Sequence, residues 1–381
     1  MRGVIPYGKQ SIDEEDINAV VEVLRSDWLT TGPRIEEFER AICSFTSAKY
    51  GVAVSNGTAA LHTAIAAAGI GPGDEVLVTP MTFAASANCI VYQGGRPVFV
   101  DVDPDTLLID PNQVRSKITK ATKAIVSVDY AGNPCPYDEL NEIAYEKDLI
   151  LISDACHALG AEYKGKKIGA LADLTALSFH PVKHITTGEG GMVLTENDEF
   201  EESMRRFRNH GIDRTARQRE ADQTWFYEMT ELGYNYRLTD IQCALGISQL
   251  RKLPRWLERR REIAAVYLQE FKDIKGIRML GVTSGCKHAY HLFVIEIEGG
   301  SINRNKMFVG LRKLGIGVNV HYIPVHLHPY YVTTFGTGAG LCPKAEEAYG
   351  KILSIPIFGT MTDGQVNQVI EDVRKCLRDI F

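Results

Sequence analysis

Short apolar runs alternate with stretches of helical periodicity in the part of the chain before residue 250. Buried parallel strands have this appearance because helices cover both faces of their sheet. The alternation predicts an α/β fold with a mainly parallel sheet of seven strands. The predicted strands are Gly51 to Val54, Glu75 to Val78, Val98 to Val100, Ala124 to Val128, Leu149 to Ile152, Leu174 to Phe179 and Gly191 to Leu194.

Two capping boxes mark the starts of helices near the ends of the chain. Ser11 to Glu14 has the spacing of a capping box, and apolar residues three and four positions apart follow between Ile17 and Leu24. This pattern predicts a first amphipathic helix. Thr362 to Gln365 forms the second box and predicts the start of the last helix.

The composition changes near Leu250, where Pro254 precedes a long charged stretch with helical character, Arg255 to Phe271. We therefore predict a large domain at residues 1–250 and a smaller α+β domain at residues 251–381. The elements predicted in the smaller domain are strands at His291 to Ile297 and Gly317 to Tyr322 and a helix at Arg304 to Leu314.

The charge of the chain argues against nucleic acids and membranes as partners. The formal net charge of -6 comes without any run of five or six like charges. No apolar run approaches the roughly 20 residues that span a bilayer, and Met1 to Gln10 lacks the pattern of a signal peptide. The eight cysteines are scattered without a C-x-x-C pair, which favours reduced thiols over zinc ligation or disulfides. We expect a cytoplasmic protein that binds small molecules.

Three loops that follow predicted strands carry candidate chemistry, because ligands of open α/β sheets lie beyond the carboxyl ends of the strands. The first loop, Ser55 to Thr58, places a glycine turn ahead of a helical stretch, Ala59 to Ala68. Free N–H groups at such a helix start attract anions. The loop predicts either a phosphate site or an ordinary tight turn.

The other two loops contain a carboxylate and a lysine. Asp154 follows the strand at Leu149 to Ile152, where it can hydrogen-bond a protonated ring nitrogen or cap a helix. Lys183 lies among aromatic and imidazole residues between Ser178 and His184. Desolvation there would lower the pKa of Lys183 and favour the neutral amine that forms a Schiff base. A lone lysine is otherwise a common surface residue.

Six motifs occur in one order along nearly the whole chain. They are Trp28 to Pro33, Gly57 to Leu61, Thr82 with Phe83, Asp154 to His157, Ser178 with Lys183, and Gly233 to Asp240. Together they resemble the fold-type-I enzymes that use pyridoxal 5'-phosphate (PLP), and most closely the nucleotide-sugar aminotransferases of the DegT/StrS branch. The resemblance implies an aspartate-aminotransferase-like large domain.

The resemblance also implies how the three loops would bind PLP. Lys183 would hold the cofactor as a Schiff base and, once released by substrate, would move the proton between the donor carbon and the cofactor. Asp154 would pair with the pyridinium nitrogen and keep it protonated. The N–H groups of Gly57 and Thr58, together with the Ser178 hydroxyl, would bind the phosphate.

Further site residues come from the same resemblance. Phe83 matches an aromatic residue that stacks on the cofactor ring, although it could equally be a core residue. His157 matches a position beside the phenolic oxygen of the cofactor. Asn235 matches a residue that reaches the phosphate in the other subunit, which implies a homodimer with shared active sites. Arg237 would meet the carboxylate of the donor or a substrate phosphate, or else form an ion pair with Asp240 or another acid.

One departure from the family pattern narrows the expected substrate. Many relatives carry a Pro-Val-His-Leu motif where this chain has Ser127 to Tyr130. This segment and the stretch Ser178 to Gly191 together resemble the subgroup that aminates C4 of a UDP-linked 4-keto-6-deoxy-N-acetylhexosamine on the way to pseudaminic acid. The resemblance implies L-glutamate as amino donor. The sugar contacts carried over from this subgroup are Tyr7, Thr30, His321 and Tyr322.

Two other functions compete with the aminotransferase. PLP-dependent sugar dehydratases share the Ser-Phe-x-Pro frame but carry histidine in place of the lysine, so Lys183 argues against that activity. A catalytically silent regulator built on the same fold would not need Lys183, Asp154 and Ser178 intact.

Overall fold

The computed structural model describes residues 3–214 and 216–381 and contains three sheets. The strands are β1 Tyr50–Val54, β2 Glu75–Val78, β3 Arg96–Phe99, β4 Thr122–Val128, β5 Ile150–Asp154, β6 Glu162–Tyr163, β7 Lys166–Lys167, β8 Leu174–Ser178, β9 Gly191–Thr195, β10 Ile277–Met279, β11 Cys286–Lys287, β12 Phe293–Ile297 and β13 Ile352–Ile355. The largest sheet has the order β1-β9-β8-β5-β4-β2-β3.

The seven strands predicted from the apolar runs are the seven strands of this sheet, and the expected fold class is confirmed. Strands β8, β5, β4, β2 and β3 pair in parallel, whereas β9 is antiparallel to both of its neighbours, β1 and β8. Buried side chains from both faces of the sheet form the larger hydrophobic core. The sheet therefore brings the loops after β1, β5 and β8 to one edge.

Helices cover the sheet and build most of the C-terminal part. They are α1 Glu14–Leu24, α2 Pro33–Thr46, α3 Gly57–Ala67, α4 Ala85–Tyr92, α5 Pro111–Lys117, α6 Tyr137–Lys147, α7 Asp198–Phe207, α8 Ala216–Ala221, α9 Asp240–Phe271, α10 Gly300–Lys313, α11 Pro329–Phe335, α12 Pro343–Tyr349 and α13 Asp363–Arg378, with short 3-10 helices at Tyr130–Gly132 and Val325–Leu327. No helix in the two described ranges is both long and apolar enough to cross a membrane.

The C-terminal part has a core of its own. Strands β10, β12 and β13 form a three-stranded sheet, and α10 and α13 pack in the same hydrophobic cluster. Helix α9 runs without interruption from Asp240 to Phe271, so the predicted domain boundary at residue 250 falls inside a helix. The division at this residue remains a prediction.

Three local predictions were wrong. Asp13, and not Ser11, caps α1, because its side chain accepts hydrogen bonds from the backbone N–H groups of Glu15 and Asp16. Pro254 lies inside α9 and does not precede the helix. Residues 317–322 do not form a strand, since only an isolated bridge from Asn319 reaches the free edge of β13. The box at Thr362 and Gln365 caps α13 as predicted.

Candidate active site

The loops at the carboxyl ends of β1, β5 and β8 surround a cavity of about 930 Å³. Parallel strands place these loops at one edge of the sheet, so residues distant in sequence meet there. Ten of the thirteen residues expected at the site line this cavity. They are Tyr7, Gly57, Thr58, Phe83, Asp154, His157, Ser178, Lys183, His321 and Tyr322.

The start of α3 and Ser178 form a cradle for an anion. Asn56 caps the helix by accepting a hydrogen bond from the backbone N–H of Ala59 at 2.8 Å. A Cβ added at Gly57 would lie 2.8 Å from Ser178 Cβ and 3.0 Å from its Oγ, so only glycine allows the two loops to approach this closely. The first turn of α3 points free N–H groups into the cavity beside a hydroxyl, which suits a phosphate group.

Asp154 ends β5 as a buried carboxylate with both oxygens engaged. Its Oδ1 accepts from the backbone N–H of Cys156 at 3.2 Å, and its Oδ2 accepts from Ser86 Oγ at 2.6 Å. Ser86 in turn is 2.6 Å from Thr82 Oγ1. Turns follow Asp154, so it does not cap a helix. The network fixes a negative charge in the cavity wall, where it can pair with a protonated ring nitrogen.

Lys183 lies in the cavity and not on the outer surface. Loss of hydration lowers the pKa of Lys183, whereas the nearby Cys156 and Asp154 oppose this shift. The amine therefore reaches its neutral, nucleophilic form more readily than a lysine in water. The arrangement provides the reactive nitrogen that a Schiff base requires.

Aromatic and imidazole rings form one wall of the cavity. Phe83 is exposed and is therefore not a residue of the hydrophobic core. Its ring lies 6.2 Å from the Tyr322 ring. Tyr322 Oη is 3.1 Å from His157 Nε2, and the two rings are stacked with an interplanar angle of 18°. Burial lowers the pKa of His157 well below its usual value, so this imidazole is neutral. The wall therefore presents flat aromatic and imidazole rings that suit a planar ligand.

Tyr7 and His321 extend the wall. Their rings are 5.4 Å apart, and His321 Nδ1 is 2.8 Å from Ser354 Oγ. The hydroxyl of Tyr130 donates to the His321 backbone carbonyl. Burial lowers the pKa of His321 to about 4, which keeps its ring neutral. These side chains add hydrogen-bonding groups without adding charge.

Thr30, Asn235 and Arg237 do not line the cavity of their own chain. Thr30 forms an isolated bridge with Thr239, and Asn235 forms one with Asn209. Thr30 and Asn235 are both exposed. The side chains of Thr30 and Asn235 are therefore accessible to groups outside the cavity of their own chain.

Arg237 forms no ion pair with Asp240 or with another acid in the described part of the chain, which was the alternative to a binding role. Its Nη1 donates to Asn209 Oδ1 at 2.8 Å. Asp240 instead accepts hydrogen bonds from the backbone N–H groups of Gly32 and Arg34, at 2.8 and 2.9 Å. The carboxylate is thus used to anchor the start of α2, and Arg237 keeps donors for another partner.

Sequence reasoning missed several residues of the site, among them Ser86, Tyr236 and His291. Ser86 could have been found from its position four residues after Thr82 of the Thr82-Phe83 motif, where the chain enters α4. Tyr236 lines the cavity and lies inside the Gly233 to Asp240 motif. His291 also lines the cavity, but it precedes an apolar strand and nothing near it in sequence marks it as a site residue.

A buried carboxylate, a desolvated lysine and a helix start suited to an anion surround one cavity, which is the arrangement expected of a fold-type-I PLP-dependent aminotransferase. Residues 10–374 match the profile of the DegT/DnrJ/EryC1/StrS aminotransferase family, and the chain belongs to that family. The resemblance found in the sequence motifs, the enzyme class and the cofactor pyridoxal 5'-phosphate are thereby confirmed.

Three relatives illustrate the similarity. The spore coat polysaccharide biosynthesis protein SpsC of Bacillus subtilis is 39% identical, and the match covers 98% of this chain and 97% of SpsC. Helicobacter pylori PseC, an aminotransferase of pseudaminic acid biosynthesis, superimposes with a TM-score of 0.92 at 34% identity over 99% of this chain and 100% of PseC. The PLP-form of the sugar aminotransferase Spr1654 from Streptococcus pneumoniae gives 0.93 at 32% identity, again covering 99% and 100%. The sugar aminotransferase activity expected from the sequence agrees with these relatives.

Proposed function

We propose that this protein transfers an amino group from L-glutamate to C4 of a UDP-linked 4-keto-6-deoxy-N-acetylhexosamine. The observation that carries the proposal is the single cavity that holds Lys183, Asp154 and the Gly57 cradle together. The similarity to PseC supports a sugar of the pseudaminic acid pathway. The eight free cysteines suit a reducing compartment, and we place the activity in the cytoplasm.

The residues around the cavity suit the parts of PLP. The start of α3 and Ser178 would bind its phosphate, Asp154 would hold a proton on the ring nitrogen, and Phe83 would cover the ring. His157 would lie beside the phenolic oxygen. Bound PLP supplies an electron sink that stabilises negative charge on the carbon next to the transferred nitrogen.

Lys183 would act twice in the reaction. Its amine, made less basic by desolvation, would hold the cofactor until the amino donor displaces it. The released amine would then take the proton from the donor carbon and deliver it during the transfer, as a general base and acid in turn. Asp154 would preserve the ring-nitrogen proton throughout, because its two oxygens are fixed by Ser86 and by the backbone of Cys156.

The remaining cavity would hold the sugar. Tyr7, His321 and Tyr322 present neutral hydroxyl and imidazole groups that can hydrogen-bond sugar hydroxyl and carbonyl oxygens without competing for the charges of the cofactor. A volume of about 930 Å³ lies in the range that accommodates a cofactor and the reacting part of a substrate. Arg237 would meet an anionic group of the substrate or donor.

We further propose a homodimer in which each site takes residues from both chains. Thr30, Asn235 and Arg237 lie outside the cavity of their own chain, as a role in the second site requires. The segment that leads to Asn235 and Arg237 exposes large apolar side chains, including Trp225 at 85% and Leu232 at 77%. Several exposed apolar side chains in one segment favour burial against a second copy.

The experiment that tests the substrate is a panel of UDP-, GDP- and dTDP-linked 4-keto-6-deoxy sugars, each offered with L-glutamate and purified enzyme. We expect aminated product, detected by mass spectrometry, with the UDP-linked N-acetylhexosamine and little with the others. Lys183→Ala serves as the control for any amination that does not depend on the active-site lysine. Preferred amination of a GDP- or dTDP-linked sugar would overturn the proposed substrate, and a product that has lost oxygen without gaining nitrogen would indicate a dehydratase.

A further inference from the structure

A group of three buried histidines, which includes His157, lies at the cavity. His157 and His291 have ring centroids 4.4 Å apart with an interplanar angle of 36°, and the centroid of His184 lies 5.5 Å from that of His291. All three are buried. The Nδ1 atom of each ring is buried without a hydrogen-bond partner in the described part of the chain. Ring packing, and not hydrogen bonding at Nδ1, therefore holds these side chains together.

His291 is held from behind at its backbone. Arg260 is buried, and its Nη1 donates to the carbonyl oxygens of Tyr290 at 3.0 Å, His291 at 3.3 Å and Ile357 at 3.0 Å. A guanidinium bound to three carbonyls cannot move without breaking charge-assisted hydrogen bonds. The backbone of Tyr290 and His291, just before β12, is thereby fixed.

Gly132 brings the backbones of the two histidines together. It has a φ of +95°, and an added Cβ would lie 2.6 Å from the His157 carbonyl oxygen and 3.1 Å from the His291 nitrogen. The turn at Tyr130–Gly132 thus fits between the two chain segments because Gly132 carries no side chain. The two backbones are held close together, which brings the His157 and His291 rings into contact.

His157 also contacts Tyr322. Its Nε2 is 3.1 Å from Tyr322 Oη, and the rings are stacked at 6.1 Å. The His157 ring is therefore in contact with both Tyr322 and His291. Without the His291 ring, the imidazole could turn about its side-chain bonds and lose the Tyr322 contact.

We propose that His291 is a positioning residue, whose ring holds His157 in the orientation that meets Tyr322 and faces the cofactor. The inference rests on the proposed function, in which His157 lies beside the phenolic oxygen of PLP. His291 acts through His157, so its loss has no further effect once His157 is absent. The contact depends on a flat ring, so an aromatic replacement preserves it and a small amide does not.

A double-mutant cycle on cofactor affinity tests the first consequence. Apoenzyme of the wild type, H157A, H291A and the double variant is titrated with PLP, and the dissociation constant is measured by fluorescence quenching. We expect each single substitution to weaken binding about tenfold, within the coupling range of residues in contact, and the double variant to match H157A. Multiplied effects in the double variant would overturn the proposal.

A ring-specific pair tests the second consequence. H291F should keep an affinity close to wild type, whereas H291N should resemble H291A. The pH midpoint of the absorbance of bound PLP should move in the same direction in H291N and H157A and stay near wild type in H291F. The reverse order, with asparagine preserving function and phenylalanine losing it, would contradict a packing role.

Matched controls separate local effects from misfolding and from failure of the proposed function. H288A removes a half-buried histidine of the same segment that stacks on Tyr290, away from the cavity, and should leave PLP affinity unchanged. Thermal midpoints establish whether each variant is folded. If H291A does not fold, the comparison of H291F with H291N tests the packing role of His291. If the wild type binds PLP but the substitutions of His157 and His291 have independent effects, this inference is refuted and the proposed function is not. A wild type that transfers no amino group would remove the proposed function.

Discussion

Replacing Gly57 with alanine tests whether the start of α3 and Ser178 form one phosphate-binding surface. The new Cβ would lie 2.8 Å from Ser178 Cβ, closer than two carbon atoms can pack, and 3.0 Å from Ser178 Oγ. Either the Ser178 loop or the helix start must therefore shift. In both cases the Ser178 hydroxyl and the N–H groups of the helix start move apart, so they no longer fit the same phosphate group.

The expected loss of affinity follows from the bond that is broken. A hydrogen bond to a charged group contributes about 1.5 to 3 kcal/mol. Since about 1.4 kcal/mol corresponds to a factor of ten, the dissociation constant for PLP should rise about 10- to 150-fold in Gly57→Ala. Titration of apoenzyme with PLP, followed by the absorbance of the bound cofactor, measures this constant directly.

Gly71→Ala provides the matched control. No atom outside its own neighbours lies within 4 Å of a Cβ added at Gly71, so this substitution should leave the affinity unchanged. A folded Gly57→Ala protein that binds PLP as tightly as the wild type would refute the cradle. Weakened binding in both variants would point to a general effect of losing glycine.

Three further predictions concern charge, assembly and pH. Asp154→Asn should slow the half-reaction with glutamate about a hundredfold to a thousandfold, the loss typical of removing one electrostatic contact, while PLP affinity falls much less; equal losses of both, measured by stopped-flow absorbance and titration, would contradict this role. Mixing inactive Lys183→Ala chains with Asn235→Ala chains should restore activity in mixed dimers, which contain one intact site; no recovery after verified subunit exchange would show that Asn235 does not serve the second subunit. Burial lowers the pKa values of His62 and His321 to about 4, so between about pH 6.5 and 4 these histidines bind protons only in the unfolded chain. The free energy of unfolding should therefore decrease as the pH is lowered through this window, by up to about 1.4 kcal/mol per pH unit for each histidine. Urea unfolding at pH 7.5 and 5.5 measures the change, and an equal free energy of unfolding at both values would contradict it.

The large sheet could be predicted from the sequence because burial on both faces leaves an apolar run at every strand. The same reasoning failed at Gly317 to Tyr322, where the composition suits a strand but the chain meets β13 only at Asn319 and then turns toward the cavity. A strand needs a partner along its length, and a local pattern does not contain that information. Pro254 misled for a related reason, since packing of the buried face of α9 outweighs the hydrogen bond that proline lacks.

The site divides in the same way. Residues in loops after strands, such as Asp154 and Lys183, could be predicted because the topology of a parallel sheet places those loops together. The cap of α1 was assigned to Ser11 instead of Asp13 because serine and aspartate side chains both accept hydrogen bonds from backbone N–H groups, and the sequence alone does not distinguish between them. His291 could not be predicted, because its contact with His157 joins segments far apart in sequence and depends on the close approach allowed at Gly132.

The most direct measurement follows a single turnover of the cofactor. Wild-type enzyme loaded with PLP is mixed with L-glutamate, and the absorbance of the bound cofactor is recorded before and after a UDP-linked 4-keto-6-deoxy-N-acetylhexosamine is added. We expect glutamate to bleach the band and the sugar to restore it with release of one equivalent of amino sugar. Lys183→Ala should be slower by about two to four orders of magnitude, as the loss of a general acid–base residue requires. A band that glutamate leaves unchanged, or a Lys183→Ala protein that turns over like the wild type, would contradict an aminotransferase that works through Lys183.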